Sequence, residues 1–114
     1  MQYLLLIYSE PQATEPSPEQ LEAMMTEYVA YSKWLRESGQ FVGGEELYPV
    51  TSATTVAVRD GRRIVTDGPF AETKEHLGGY YLVDAADLDA AIEAAARIPG
   101  ARRGKVEIRP ILTM

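Results

Sequence analysis

The chain has 114 residues, 46% of them apolar and 25% charged, with a formal net charge of −6 and no cysteine. That length fits a single domain over residues 1–114, large enough for a real core and too small for two. The acidic balance argues against nucleic acid and anionic membrane surfaces as partners, and the absence of thiols excludes disulfide scaffolds, thiolate metal sites and cysteine nucleophiles.

Met1 to Tyr8 reads as a strand without a polar face: Tyr3, Leu5 and Ile7 point one way, Leu4, Leu6 and Tyr8 the other. No basic leader precedes it, and its apolar run is too short for a signal-peptide core or a spanning helix, so the expected location is cytoplasmic, with no membrane partner. Ser9 to Pro18 carries no periodicity and reads as a loop. Ser17-Pro18-Glu19-Gln20 then makes a helix start, with Ser as N-cap, Pro at the first helical position and Gln reaching back in a capping box. Leu21, Met24, Met25, Tyr28, Ser32 and Leu35 recur at helical spacing as the expected buried stripe, with Tyr31 and Trp34 at its margins, and Gly39 ends the helix.

Phe41 to Val50 reads as an irregular edge strand interrupted by Gly43-Gly44. Thr54 to Arg59 and Arg62 to Thr66 flank Asp60-Gly61, a two-residue hairpin signal that pairs Val58 with Arg63 and Val56 with Val65. Gly79 to Asp84 is a second strand without a polar face. Asp87 starts another helix, whose expected buried stripe is Leu88, Ala91, Ile92, Ala95 and Ile98. Pro99-Gly100 stops it, a basic loop follows, and Lys105 to Arg109 is a strand with Val106 and Ile108 in, Glu107 and Arg109 out, closed by Pro110 as an edge.

This order matches the split βαβ arrangement of an α+β ferredoxin-like fold, with an antiparallel sheet, two helices on one face and an inserted hairpin. Two strands that are apolar on both faces need cover on the face the helices leave open. A second copy of the sheet is the economical cover, so the chain is expected to form a homodimer whose sheets pack face to face or close into a barrel.

Chemistry concentrates between Thr66 and Tyr81, where Asp67-Gly68-Pro69 forces a sharp turn, Phe70 offers an aromatic anchor, and Glu72, Lys74, Glu75 and His76 follow at once. Asp67 reads either as a general base or ligand anchor, or as an Asp that caps its own turn. Lys74 reads as the holder of a bound carboxylate or as half of a surface ion pair with its neighbours. Arg109 reads as a bidentate grip on a carboxylate or as a lock on an acidic residue across the sheet. His76, the single histidine, has the range of a proton shuttle, but beside Glu72 and Glu75 alone it does not make a metal site, and no metal or other cofactor is expected. The serines lack a nucleophile-elbow context, and neither glycine pair has the spacing of a phosphate-cradling loop. The tyrosines and Trp34 suit an aromatic ligand pocket or a dimer interface.

Asp67-Gly68-Pro69-Phe70-Ala71-Glu72-Thr73-Lys74-Glu75, then Gly78-Gly79-Tyr80, an alanine-rich helix with Pro99, and Glu107-Ile108-Arg109-Pro110 together resemble the YCII-related family, specifically its DGPF branch, over essentially the whole chain. The resemblance implies a dimeric ferredoxin-like α/β barrel. Broader YCII relatives carry a His and Asp dyad with the His at the start of the first helix, and some act on small hydroxylated or chlorinated aromatics. Here that helix start reads Glu19-Gln20-Leu21-Glu22, so the dyad does not carry over. Members of the DGPF branch resemble accessory proteins encoded near alternative sigma factors. The expected function is a dimeric small-molecule-binding protein with a pocket near Asp67, Phe70, Lys74, His76 and Arg109, performing acid-base chemistry on a small carboxylated or phenolic compound with Asp67 as base. The alternative is a non-catalytic accessory dimer that binds a protein partner or senses a metabolite.

Overall fold

A computed structural model describes residues 1–12 and 14–113. Strand β1 (Gln2–Ser9) leads to helix α1 (Pro18–Glu37), strand β2 (Phe41–Glu46), a hairpin of β3 (Thr54–Arg59) and β4 (Arg62–Asp67), strand β5 (His76–Asp84), helix α2 (Leu88–Ala96) and strand β6 (Lys105–Pro110). Four strands form one antiparallel sheet in the order β2-β5-β1-β6, and β3 pairs only with β4 in a separate ribbon. Two helices on an antiparallel sheet of this order are consistent with the ferredoxin-like α+β fold.

Local signals set the element boundaries. Ser17 accepts from the Gln20 N–H, and the Gln20 side chain accepts from the Ser17 N–H at 2.8 Å, completing the capping box. Asp87 caps α2 by accepting from the Ala90 N–H. Asp60 and Gly61 both have positive φ, as a two-residue turn with the twist of its flanking strands requires, and the hairpin register pairs Val58 with Arg63 and Val56 with Val65 as expected.

The core lies between the sheet and both helices: Tyr3 and Leu5 of β1 and Val83 of β5 meet Tyr31 and Leu35 of α1 and Ala91, Ala94 and Ala95 of α2, with Ile98 behind them. Several expectations need correction. In α1 the covered stripe is Met24, Tyr28, Tyr31 and Leu35, so Leu21 and Met25 beside it are exposed, whereas Tyr31, expected at the margin, is buried. In α2, Leu88 and Ile92 are exposed and alanines make the contact, so the helix lies close to the strands. Strand β2 ends at Glu46, and Val50–Ser52 is a short 3-10 turn.

Strand β5 starts at His76 rather than Gly79, and its glycines admit neighbouring backbone. A Cβ on Gly79 would sit 3.0 Å from the Glu45 carbonyl oxygen, and one on Gly44 would sit 2.8 Å from that of Tyr80. The β1–β5 register slips after Ile7, where Gly79 pairs with Ile7 and Leu77 with Tyr8, leaving Gly78 as a bulge whose carbonyl accepts from the Leu47 N–H.

Alternation places Leu4, Leu6, Tyr80 and Leu82 on the face opposite the helices, flanked by Glu107 and Arg109 on β6. All four are only partly buried. The chain measures 48 × 44 × 19 Å, one sheet and one helix layer thick, and its radius of gyration of 16.2 Å exceeds the roughly 13 Å of a compact chain this long.

Candidate functional site

One end of the four-stranded sheet brings together Glu10, Lys74, Glu75, His76 and Lys105. Residues Tyr8 and Ser9 close β1 there, paired with Leu77 and His76 at the start of β5, and Tyr8 pairs on its other side with Lys105 at the start of β6. The Gly78 bulge lies beside them, a device that re-aims side chains at strand ends and is common next to functional sites. A shallow, open hollow of about 450 Å³ lies here, lined by Tyr8, Glu75, Lys105, Val106 and Glu107.

Two ion pairs tie this end together. The Lys105 ammonium donates to Glu75 Oε1 at 2.7 Å, and Lys74 lies 3.3 Å from Glu10 in the loop after β1. The Glu75 side chain is 25% exposed and Lys105 77%, so the carboxylate is the sheltered member. Its hydrogen bond, and then its charge, hold Lys105 above the ordinary lysine value, with Glu10 adding to the effect. The turn into β5 is closed by Thr73 Oγ1 donating to the Glu75 carbonyl and by His76 Nε2 donating to the Thr73 carbonyl at 3.0 Å, which puts the proton on Nε2.

The residues singled out from sequence do not converge. Lys74 pairs with Glu10 rather than with its chain neighbours, and His76 is engaged by its own turn. Phe70 is 90% exposed. Asp67 ends β4 opposite Thr54, and the turn after it is closed by the Gly68 N–H on the Ala53 carbonyl and by Thr55 Oγ1 on the Gly68 carbonyl, without the Asp67 carboxylate. Arg109 lies on the open face opposite Leu4, pairs with Glu107 on its own strand at 3.3 Å, and stands four residues from Lys105, about 13 Å by strand rise. Among the described residues no three of His, Asp and Glu come together as metal ligands.

Sequence does not single out Glu10, Lys105 and Glu107 as site residues, and only the alternation of Lys105, Glu107 and Arg109 along β6 points to a polar row there, while Tyr8 is one of the tyrosines read as suiting a ligand pocket or a dimer interface. Part of the aromatic set packs within the chain rather than at a pocket or an interface. Tyr31 packs edge-on against Tyr81 at 5.1 Å and donates to the Ala94 carbonyl at 2.7 Å, and Arg97 stacks on Trp34 at 4.2 Å. These rings belong to the core and its rim. Burial raises the Tyr31 phenol well above the ordinary tyrosine value and also raises that of Tyr28, where a backbone hydrogen bond at Gly100 partly offsets it.

The model of the YCII-related domain matches residues 1–114, the full length of the chain. The chain belongs to the YCII-related family. It is also similar to an uncharacterized protein of Rhizobium meliloti (strain 1021), 39% identical over 114 residues, an alignment covering 97% of this chain and 92% of that one. Likeness therefore runs through the hairpin and the charged sheet end as well as the core. No helix among the described residues is long and apolar enough to cross a membrane.

Proposed function

We propose that this YCII-related chain, in the DGPF branch by its Asp67-Gly68-Pro69-Phe70 turn, is a homodimeric small-molecule-binding protein whose ligand sits at the charged end of the sheet. The observation that carries this reading is the hollow lined by Tyr8, Glu75, Lys105, Val106 and Glu107 beside the bulge. Its chemistry favours a phenolic over a carboxylated compound, because two carboxylates face one ammonium there. A ligand hydroxyl donates to Glu75, its ring lies against Tyr8 and Val106, and Lys105 steadies an oxyanion as it forms. The base role expected of Asp67 passes to Glu75 in this reading, since Glu75 lines the hollow and Asp67 does not. The dimer is supported by the partly buried apolar open face and the flat, extended protomer.

The test is thermal unfolding of the purified protein against small phenols, carboxylic acids and lactones, with mass in solution recorded alongside. A phenol at about a hundredfold its dissociation constant stabilises the protein by about 2.7 kcal/mol. That shift disappears in Glu75→Gln and Lys105→Ala and survives in Asp67→Asn. A hit that survives Glu75→Gln removes the site from this end of the sheet. A dimer that no compound stabilises favours a second reading, a non-catalytic accessory dimer that binds a protein partner, which the exposed apolar hairpin supports.

A further inference from the structure

We infer that the β3–β4 hairpin is an arm that lies on the N-terminal half of α1 in a second copy of the chain, an inference that rests on the homodimer proposed above. A two-stranded ribbon without a packed face is marginal in water. Here all six residues of β4 are exposed, and Val56, Val58, Ile64 and Val65 are open by 48% to 61%. Cross-strand pairing puts Val56, Val58 and Val65 on one side of the ribbon with Arg63, while Thr55, Ala57 and Ile64 share the other. Thr55 and Ala57 are partly covered and Val56 and Val58 are not, so the valine side is the one that needs a partner.

The chain offers one helical stripe of matching character. Leu21, Met25 and Val29, at four-residue spacing on α1, are 48%, 69% and 67% exposed beside the stripe of Met24, Tyr28, Tyr31 and Leu35 that the helix turns to its own core. Charge completes the match: Arg59, Arg62 and Arg63 at the hairpin tip take part in no ion pair among the described residues, and neither do Glu19 and Glu22 beside the stripe. In a chain of net charge −6, a basic tip selects the acidic body of another copy.

Reach and symmetry fit as well. Two open sheet faces pack against each other about 10 Å apart, and the helix layer lies roughly a further helix diameter out. Six residues of extended chain cover about 20 Å, enough to cross both layers. The hairpin leaves the sheet between Glu46 and His76, the end at which α1 begins after β1, so a twofold axis along the strands brings each arm beside the other copy's stripe.

The experiment measures dimer dissociation by sedimentation for the wild type, for Arg62→Glu with Arg63→Glu, for Glu19→Arg with Glu22→Arg, and for all four changes together, with circular dichroism confirming each fold. Either pair of reversals weakens the dimer roughly tenfold or more, and the combination restores it. Because the chain has no cysteine, mixing Val58→Cys with Met25→Cys protein under oxidising conditions supplies an independent readout, expected as a mixed disulfide dimer. A wild-type monomer overturns the dimer and the arm together. A wild-type dimer indifferent to both reversals, or one that the combination does not restore and in which no mixed disulfide forms, overturns the arm and leaves the dimer standing.

Discussion

The sheet with its two helices and the β3–β4 hairpin are built from equally strong local signals and have opposite energetics. Leu5, Leu35, Val83 and Ile98 are fully buried inside the first region, whereas no residue of the hairpin reaches that state. Turn chemistry and alternation thus specify a conformation in both, but only the sheet and helices bury enough apolar surface within one chain to hold it. Helix α1 combines the two cases, since its second half supplies Tyr31 and Leu35 to the core and its first half holds no buried residue.

The sharpest way to break this contrast is Leu35→Ala. Removing a fully buried leucine costs about 2 to 5 kcal/mol through lost transfer energy and an unfilled cavity, read by denaturant unfolding at fixed protein concentration. A cost below about 1 kcal/mol means that the core is not where burial places it. Tyr31→Phe comes next, at about 1 to 3 kcal/mol, because it strands the Ala94 carbonyl that now accepts from the phenol at 2.7 Å. The same substitution has a pH signature. Burial keeps the folded Tyr31 phenol protonated while the unfolded one ionises near pH 10, so above that pH the unfolded state binds fewer protons and stability falls as pH rises. Tyr31→Phe flattens that alkaline decline, while below pH 9 its cost does not vary with pH.

Legibility followed the same division. The capping box, the hairpin register and the alternation of β6 were readable because each is settled by residues within a few positions of one another. The reading of α1 went wrong at Leu21 and Met25 because apolar residues at helical spacing cover a wider arc than the one that faces the core, which runs through Met24, Tyr28, Tyr31 and Leu35. The strand expected from Gly79 starts three residues earlier, at His76, so Gly78 falls inside it as a bulge, while Gly79 lets β2 approach. The partners of the charged residues were beyond reach: Lys74 meets Glu10 and Glu75 meets Lys105, contacts made by the fold across 64 and 30 residues (74 − 10 and 105 − 75). For that reason the carboxylate that lines the hollow is Glu75, while sequence drew attention to Asp67.

Two smaller substitutions sharpen the comparison. Ser17→Ala removes the N-cap of α1 and costs about 1 kcal/mol. Because Leu21 and Met25 contribute little burial within the chain, the loss shows first as faster amide exchange in the opening turns of the helix. A uniform change along α1 would mean that packing rather than the cap holds its start.

Val65→Ala carries the smallest expected effect in the isolated chain and the most information. The side chain is more than half exposed, so for a single copy its truncation falls within about 0.5 kcal/mol, the range of ordinary surface changes. Burial against a second copy alters that in a recognisable way, since stability that comes from association depends on protein concentration. The midpoint difference between wild type and Val65→Ala should therefore widen as concentration rises through the dimer's dissociation constant, while the difference for Leu35→Ala stays constant. If both differences are flat with concentration, the hairpin holds its shape through turn chemistry and its own cross-strand pairs alone, and its apolar side has some use other than joining two copies of this chain.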